Sequence, residues 1–79
     1  MKLIVCNIPF YIDEYGITRV FELFGKVISA KIFSCPVTGQ SKGLGVLTMD
    51  NPIEGNTAIA VVNGIVIEGK KLIVKPIEQ

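Results

Sequence analysis

Apolar residues recur along this chain at two spacings, and the order in which those spacings alternate predicts its architecture. Lys2 to Cys6 is an apolar, β-branched run ending at Asn7-Ile8-Pro9, which suits a buried strand followed by a turn. Asp13 can cap a helix, and Glu14 in its first turn complements the positive end of the helix dipole. Ile17, Val20, Phe21 and Phe24 then fall at i, i+3, i+4 and i+7, one apolar stripe of an amphipathic helix. Gly16 weakens that helix by about 1 kcal/mol, and Gly25 is the expected left-handed terminator. Val27 to Phe33 and Gly43 to Met49 form the next two strands, joined by turn chemistry from Cys35 to Lys42 with Gly39 suited to a positive φ.

Asp50-Asn51-Pro52 signals a second helix with Pro52 at its first position. Gly55, Ala58, Ile59 and Val62 supply its core stripe, and Asn63-Gly64 stops it. Ala60 and Val61 point outward, and no charged residue lies between Glu54 and Glu68, unusual for a helix facing solvent. A short extended piece at Ile65 to Ile67 precedes a last strand from Lys71 to Lys75. The order is β-α-β-β-α-β: an α+β, ferredoxin-like sandwich with a four-stranded antiparallel sheet and both helices on one face. Residues 1–79 are expected to form one domain, with the other face of the sheet open.

Composition narrows the function classes. The chain is 49% hydrophobic and 19% charged, so it is no disordered tail. Its apolar runs fall far short of the roughly 18 residues a spanning helix needs, and Asn7 and Pro9 come too early for a signal peptide. A soluble cytoplasmic protein is expected, with no membrane partner. Two cysteines, Cys6 and Cys35, without CxxC spacing predict free thiols rather than a disulfide, redox pair or zinc site. Histidine is absent, which removes the commonest general base. Asp13, Glu14, Asp50 and Glu54 occupy helix starts, where acids act as caps, and no nucleophile–base pair can be assembled. An enzyme is not expected, nor a cofactor, a metal or a small-molecule substrate.

Several families share this element order, and fold alone does not assign function. The loop after the first strand lacks the anion-binding arginine of acylphosphatase-like domains and the CxxC of metal chaperones. Lys42-Gly43-Leu44-Gly45-Val46-Leu47-Thr48-Met49 follows the frame Lys/Arg, Gly, aromatic, Gly/Ala, aromatic, aliphatic, any, aromatic. Leu3-Ile4-Val5-Cys6-Asn7-Ile8 follows a companion hexapeptide, and Thr38-Gly39-Gln40-Ser41, Val62-Asn63-Gly64 and Gly69-Lys70-Lys71-Leu72 keep order and spacing with them. Along nearly its whole length the chain thus resembles the RNA recognition motif family.

That resemblance implies single-stranded RNA as the ligand and the open sheet face as its site. It also marks a departure. The family's base-stacking aromatics belong at positions held here by Ile4, Leu44 and Val46. A base–aromatic stack is worth about 1–3 kcal/mol, so losing two good stacks costs about 2–4 kcal/mol, or roughly 30- to 1,000-fold in affinity. Strand alternation from these positions adds Lys2, Cys6, Lys42 and Thr48, and the family pattern adds Ser29, Lys31, Phe33, Lys71, Ile73 and Lys75. Leu3, Val5, Ala30, Ile32, Gly45, Leu47, Met49, Leu72 and Val74 then face the helices. The expected RNA-binding set is Lys2, Ile4, Cys6, Lys31, Phe33, Lys42, Leu44, Val46, Lys71, Ile73 and Lys75. Five of the eight basic residues lie on this face, with none of Asp13, Glu14, Glu22, Asp50, Glu54, Glu68 and Glu78. Phe10 and Tyr11 are further aromatic candidates, although the family usually buries an aromatic near Phe10. The expectation is weak, backbone-led RNA binding. The competing reading is a homodimer or another protein partner on the aliphatic face or the second helix.

Overall fold

The computed structural model describes residues 1–77. Strand β1, Lys2–Cys6, leads through a loop into helix α1, Glu14–Glu22. Strands β2, Val27–Ser34, and β3, Ser41–Met49, follow, then helix α2, Pro52–Val62. Two short strands, β4 at Val66–Ile67 and β5 at Lys70–Lys71, precede β6, Ile73–Pro76. The main sheet runs β2-β3-β1-β6, antiparallel throughout.

Capping chemistry sets both helix starts. Asp13 Oδ1 accepts from the Gly16 N–H at 2.8 Å, and Asn51 Oδ1 accepts from the N–H groups of Ile53 and Glu54 at 2.8 and 3.3 Å. Pro52 takes the first turn of α2, where no N–H is needed. The α2 helix ends at Asn63, after which Gly64 turns the chain at φ +92°.

The core is one apolar layer between sheet and helices. Leu3 and Val5 from β1, Leu47 and Met49 from β3, and Val74 from β6 are buried against Ile17 and Phe21 of α1 and Ala58 and Val62 of α2. Ala30, Ile32, Ile59, Val20 and Phe24 pack around that cluster. The alternation expected from the sequence therefore holds: odd residues of β1 and β3 go in, and even ones face out.

The structure departs from the sequence expectations in several places. Gly25 is not left-handed. A Cβ there would sit 2.7 Å from the Glu54 Cβ, so glycine is required by the close approach of α2, not by its dihedral angles. The third strand begins at Ser41 rather than Gly43. The last strand is not continuous from Lys71. Instead β4 and β5 pair as a hairpin, Val66 with Lys71 and Ile67 with Lys70. Its two-residue turn has positive φ at both Glu68 (49°) and Gly69 (82°), the combination that matches the twist of a tight hairpin.

Two irregularities shape the β2–β3 ladder. Val27 pairs with Met49 but Ser29 with Thr48, so Ile28 is an extra residue on β2. Ile32 pairs with Gly45 but Ser34 with Ser41, so Lys42, Gly43 and Leu44 together oppose Phe33. Gly43 adopts φ +71°, and its carbonyl accepts from the buried Ile8 N–H at 2.9 Å. A Cβ at Gly43 would lie 3.0 Å from the Ile8 carbonyl oxygen. Glu14 does more than face the α1 dipole: its Oε2 accepts from the outward-pointing N–H of Ile32 on β2, at 2.8 Å.

Candidate nucleic-acid interface

The register of the sheet converts the expected face into rows. Lys31 pairs with Val46, Val46 with Ile4 and Ile4 with Lys75, so one row crosses all four strands with lysine at each end. Above it, Ser29, Thr48 and Lys2 form a second row. Below it, Leu44, Cys6 and Ile73 form a third, with Phe33 opposite the bulge beside Leu44. Directly opposed side chains on one sheet face lie within about 5.5 Å of each other, so each row is a continuous surface.

Ile4, Cys6, Leu44 and Val46 are half-buried in the middle of this face, while Phe33 and Ile73 toward its margins are 38% and 43% exposed. The four strands contain four lysines and no acidic residue. Exposed Lys2, Lys31 and Lys75 take their places in the rows directly from the register. Gly43 and the bulge separate Lys42 from Leu44, so strand alternation does not orient it, and it stands exposed at the rim.

Lys71 is displaced from the sheet. It belongs to β5, and its side-chain stem runs past Gly64, where an added Cβ would come 3.6 Å from Lys71 Cε. Its carbonyl accepts from Asn7 Nδ2 at 2.9 Å, a bond that ties the end of β1 to the hairpin. Asn7 reaches it from a left-handed conformation, φ 64°. Sequence parity missed this because the alternation of Lys71, Ile73 and Lys75 is correct, yet nothing in it reveals that β5 pairs elsewhere. Among the acids expected off the face, Glu78 lies outside the described residues.

Beside the face stands an aromatic pair. Phe10 and Tyr11 meet edge-to-face, with centroids 5.7 Å apart and planes at 85°. Phe10 is 65% exposed, so it is not the buried aromatic the family usually has near this position. Tyr11 connects the β1–α1 loop to the hairpin: partial withdrawal from water pushes its phenol pKa up, and the Glu68 carboxylate, a nearby charge and hydrogen-bond acceptor, raises it further. A cavity of about 330 Å³ opens beside this pair at the end of β2, lined also by Asp13, Glu14, Ser34 and Gly39. No spacing signal in the sequence announces it, since its walls come from three separate stretches: residues 10–14, Ile32 with Ser34, and Gly39.

An open, acid-free sheet face with an aliphatic centre and lysines at its ends suits a flexible polyanion carrying flat apolar groups. Comparison with known proteins agrees. The chain is 36% identical over 78 residues to RNA-binding protein CP31B, chloroplastic, of Arabidopsis thaliana, covering 99% of this chain and 27% of that protein. It is 35% identical to the 28 kDa ribonucleoprotein, chloroplastic, of Spinacia oleracea, covering 99% of this chain and 34% of that one. It therefore spans about a third or less of the length of these relatives. The crystal structure of RNA Binding Protein PG1 superposes with a TM-score of 0.94 at 29% identity, covering 100% of this chain and 95% of that chain. A model of the RNA recognition motif matches residues 3–73, and the chain belongs to that family.

Proposed function

We propose that this chain binds single-stranded RNA across the open face of its sheet, holding the backbone with lysines and the bases with aliphatic side chains. The observation that carries this reading is the row Lys31–Val46–Ile4–Lys75, two cations separated by apolar contact surface. Lys2 adds a cation one row away, and Leu44, Cys6 and Ile73 extend the apolar centre. The names of both plant relatives, an RNA-binding protein and a ribonucleoprotein, support the same ligand class.

The residues at the stacking positions set the strength. Aliphatic side chains touch a base without offering it a parallel π-face, so binding is weak and tolerant of sequence. The expected role is that of a binding module with no catalytic step. Both relatives are chloroplastic proteins, which lends no support to a cytoplasmic location for this chain. Fluorescence anisotropy with a mixed pool of short labelled RNAs tests the proposal. Saturable binding at micromolar protein in low salt is expected; no binding at high micromolar protein removes it. Binding that survives Lys31→Glu together with Lys75→Glu would relocate the interface away from the sheet.

A further inference from the structure

The best-exposed aromatic rings near the interface are not on the sheet. Phe10 and Tyr11 stand at the mouth of the cavity at the end of β2, and Phe10 presents most of its ring to solvent. At about 330 Å³ the cavity lies at the low end of the volumes, roughly 300–1,000 Å³, that hold small flat ligands. Its position relative to the sheet matters. Ile32 and Ser34 line it, and they project to the opposite side of β2 from Lys31 and Phe33. Because β2 is an edge strand, the cavity lies just round that edge from the open face. A strand of RNA leaving the sheet across β2 would pass that edge.

The charges in the cavity differ from those on the sheet. Its lining includes the acidic residues Asp13 and Glu14 and no cation. Phosphate is disfavoured there, so a nucleotide must enter base first. Each carboxylate already accepts one backbone N–H, from Gly16 and from Ile32. A carboxylate offers about four acceptor sites, so capacity is left for the N–H donors of a base edge. Phe10 supplies the stacking plane that Ile4, Leu44 and Val46 do not.

We infer that this cavity is a subsite for one nucleobase of the bound RNA, stacked on Phe10 and held by its exocyclic amino group, so that adenine, cytosine or guanine is preferred to uracil. The inference rests on the RNA-binding reading of the sheet. The test is a binding series with a short single-stranded RNA in which each nucleotide in turn is replaced by an abasic one, measured on the parent chain and on Phe10→Ala. One position near an end of the RNA should lose about 5- to 100-fold on the parent, the range of a single base stack, and nothing on Phe10→Ala. Phe10→Tyr should restore the loss, and uracil at that position should bind more weakly than the other three bases. Lys31→Gln should weaken every RNA while keeping the positional effect. Phe10 is exposed enough for its variants to fold, which circular dichroism checks. A parent that binds RNA with no position coupled to Phe10 overturns the subsite and leaves the sheet reading intact. Equal binding of uracil overturns the role of the carboxylates. A parent that binds no RNA overturns the sheet reading and the subsite together.

Discussion

Replacing Lys31 and Lys75 with glutamine removes both charges that end the central row of the sheet while shortening each side chain by one atom. The size of the effect follows from how many lysines the register places on the face. Lys2, Lys31 and Lys75 are fixed there by strand pairing, so in the proposed binding mode they would neutralise three phosphates of a bound single strand. With a slope of about −0.7 per phosphate, log affinity should fall with log salt at about −2.1, a loss of about 20-fold between 50 and 200 mM. Of these three the double variant keeps Lys2, and its slope should fall to about −0.7, a loss of about threefold over the same range. Lys71→Gln is the internal control, because Lys71 sits on the β4–β5 hairpin with its stem along Gly64. Its slope should match the parent's. Anisotropy titrations with one labelled RNA at a series of potassium chloride concentrations give all three slopes. A double variant with the parental slope, or a Lys71→Gln slope as shallow as the double variant's, would refute the assignment of phosphate contacts to the sheet ends.

Three further outcomes are expected. Phe21→Ala empties the largest side chain of the core and should cost about 3–5 kcal/mol, a large part of the 5–15 kcal/mol a small domain holds, read as a lower urea midpoint. Gly25→Ala should cost about 1–3 kcal/mol through overlap with Glu54 and lower the melting temperature by at least about 4 °C; an unchanged melting temperature would show that α2 moves aside freely. Cys35 sits in the β2–β3 loop, where hydrogen bonds from the backbone and hydroxyl of Thr38 and the backbone of Val37 hold its thiol pKa below the ordinary value. Those bonds favour the thiolate, so alkylation of Cys35 should reach half its limiting rate at lower pH than for an ordinary thiol. Thr38→Val should move that midpoint up, and a profile indifferent to Thr38 would remove the explanation.

What the sequence made legible was whatever repeats with a period. The Ile17–Phe21 stripe, the alternation in β1 and β3 and the Asp13, Asn51 and Pro52 caps are local, and each holds in the structure. Non-local events were hidden. The extra residue at Ile28, the separation of Lys71 from β6 and the Asn7–Lys71 bond each depend on which backbone lies alongside, not on neighbours in sequence. Gly25 shows the same limit from the other side: turn chemistry favours a left-handed glycine there, but the constraint comes from Glu54, 29 positions away. Of the eleven residues expected at the interface, Lys71 is the one the structure moves off the sheet, and Lys42 is the one that alternation alone does not orient. The cavity at Phe10 and Tyr11 draws on the β1–α1 loop, the start of α1, β2 and the β2–β3 loop, and no motif spans all four.

The bond from Glu14 to the Ile32 N–H bears on how these molecules treat one another in a crowded solution. Strand β2 ends the sheet, and its outward amides are a template on which a second copy could add its own strand, the first step toward aggregation. Half of this chain's residues are hydrophobic, so such pairing would be reinforced by side-chain burial. The Glu14 carboxylate occupies one of those amides with a fixed negative charge, and the extra residue at Ile28 breaks the strand's regular spacing at its other end. The first residue of a helix thus guards the border of a sheet, and one carboxylate serves both that border and the cavity beside it.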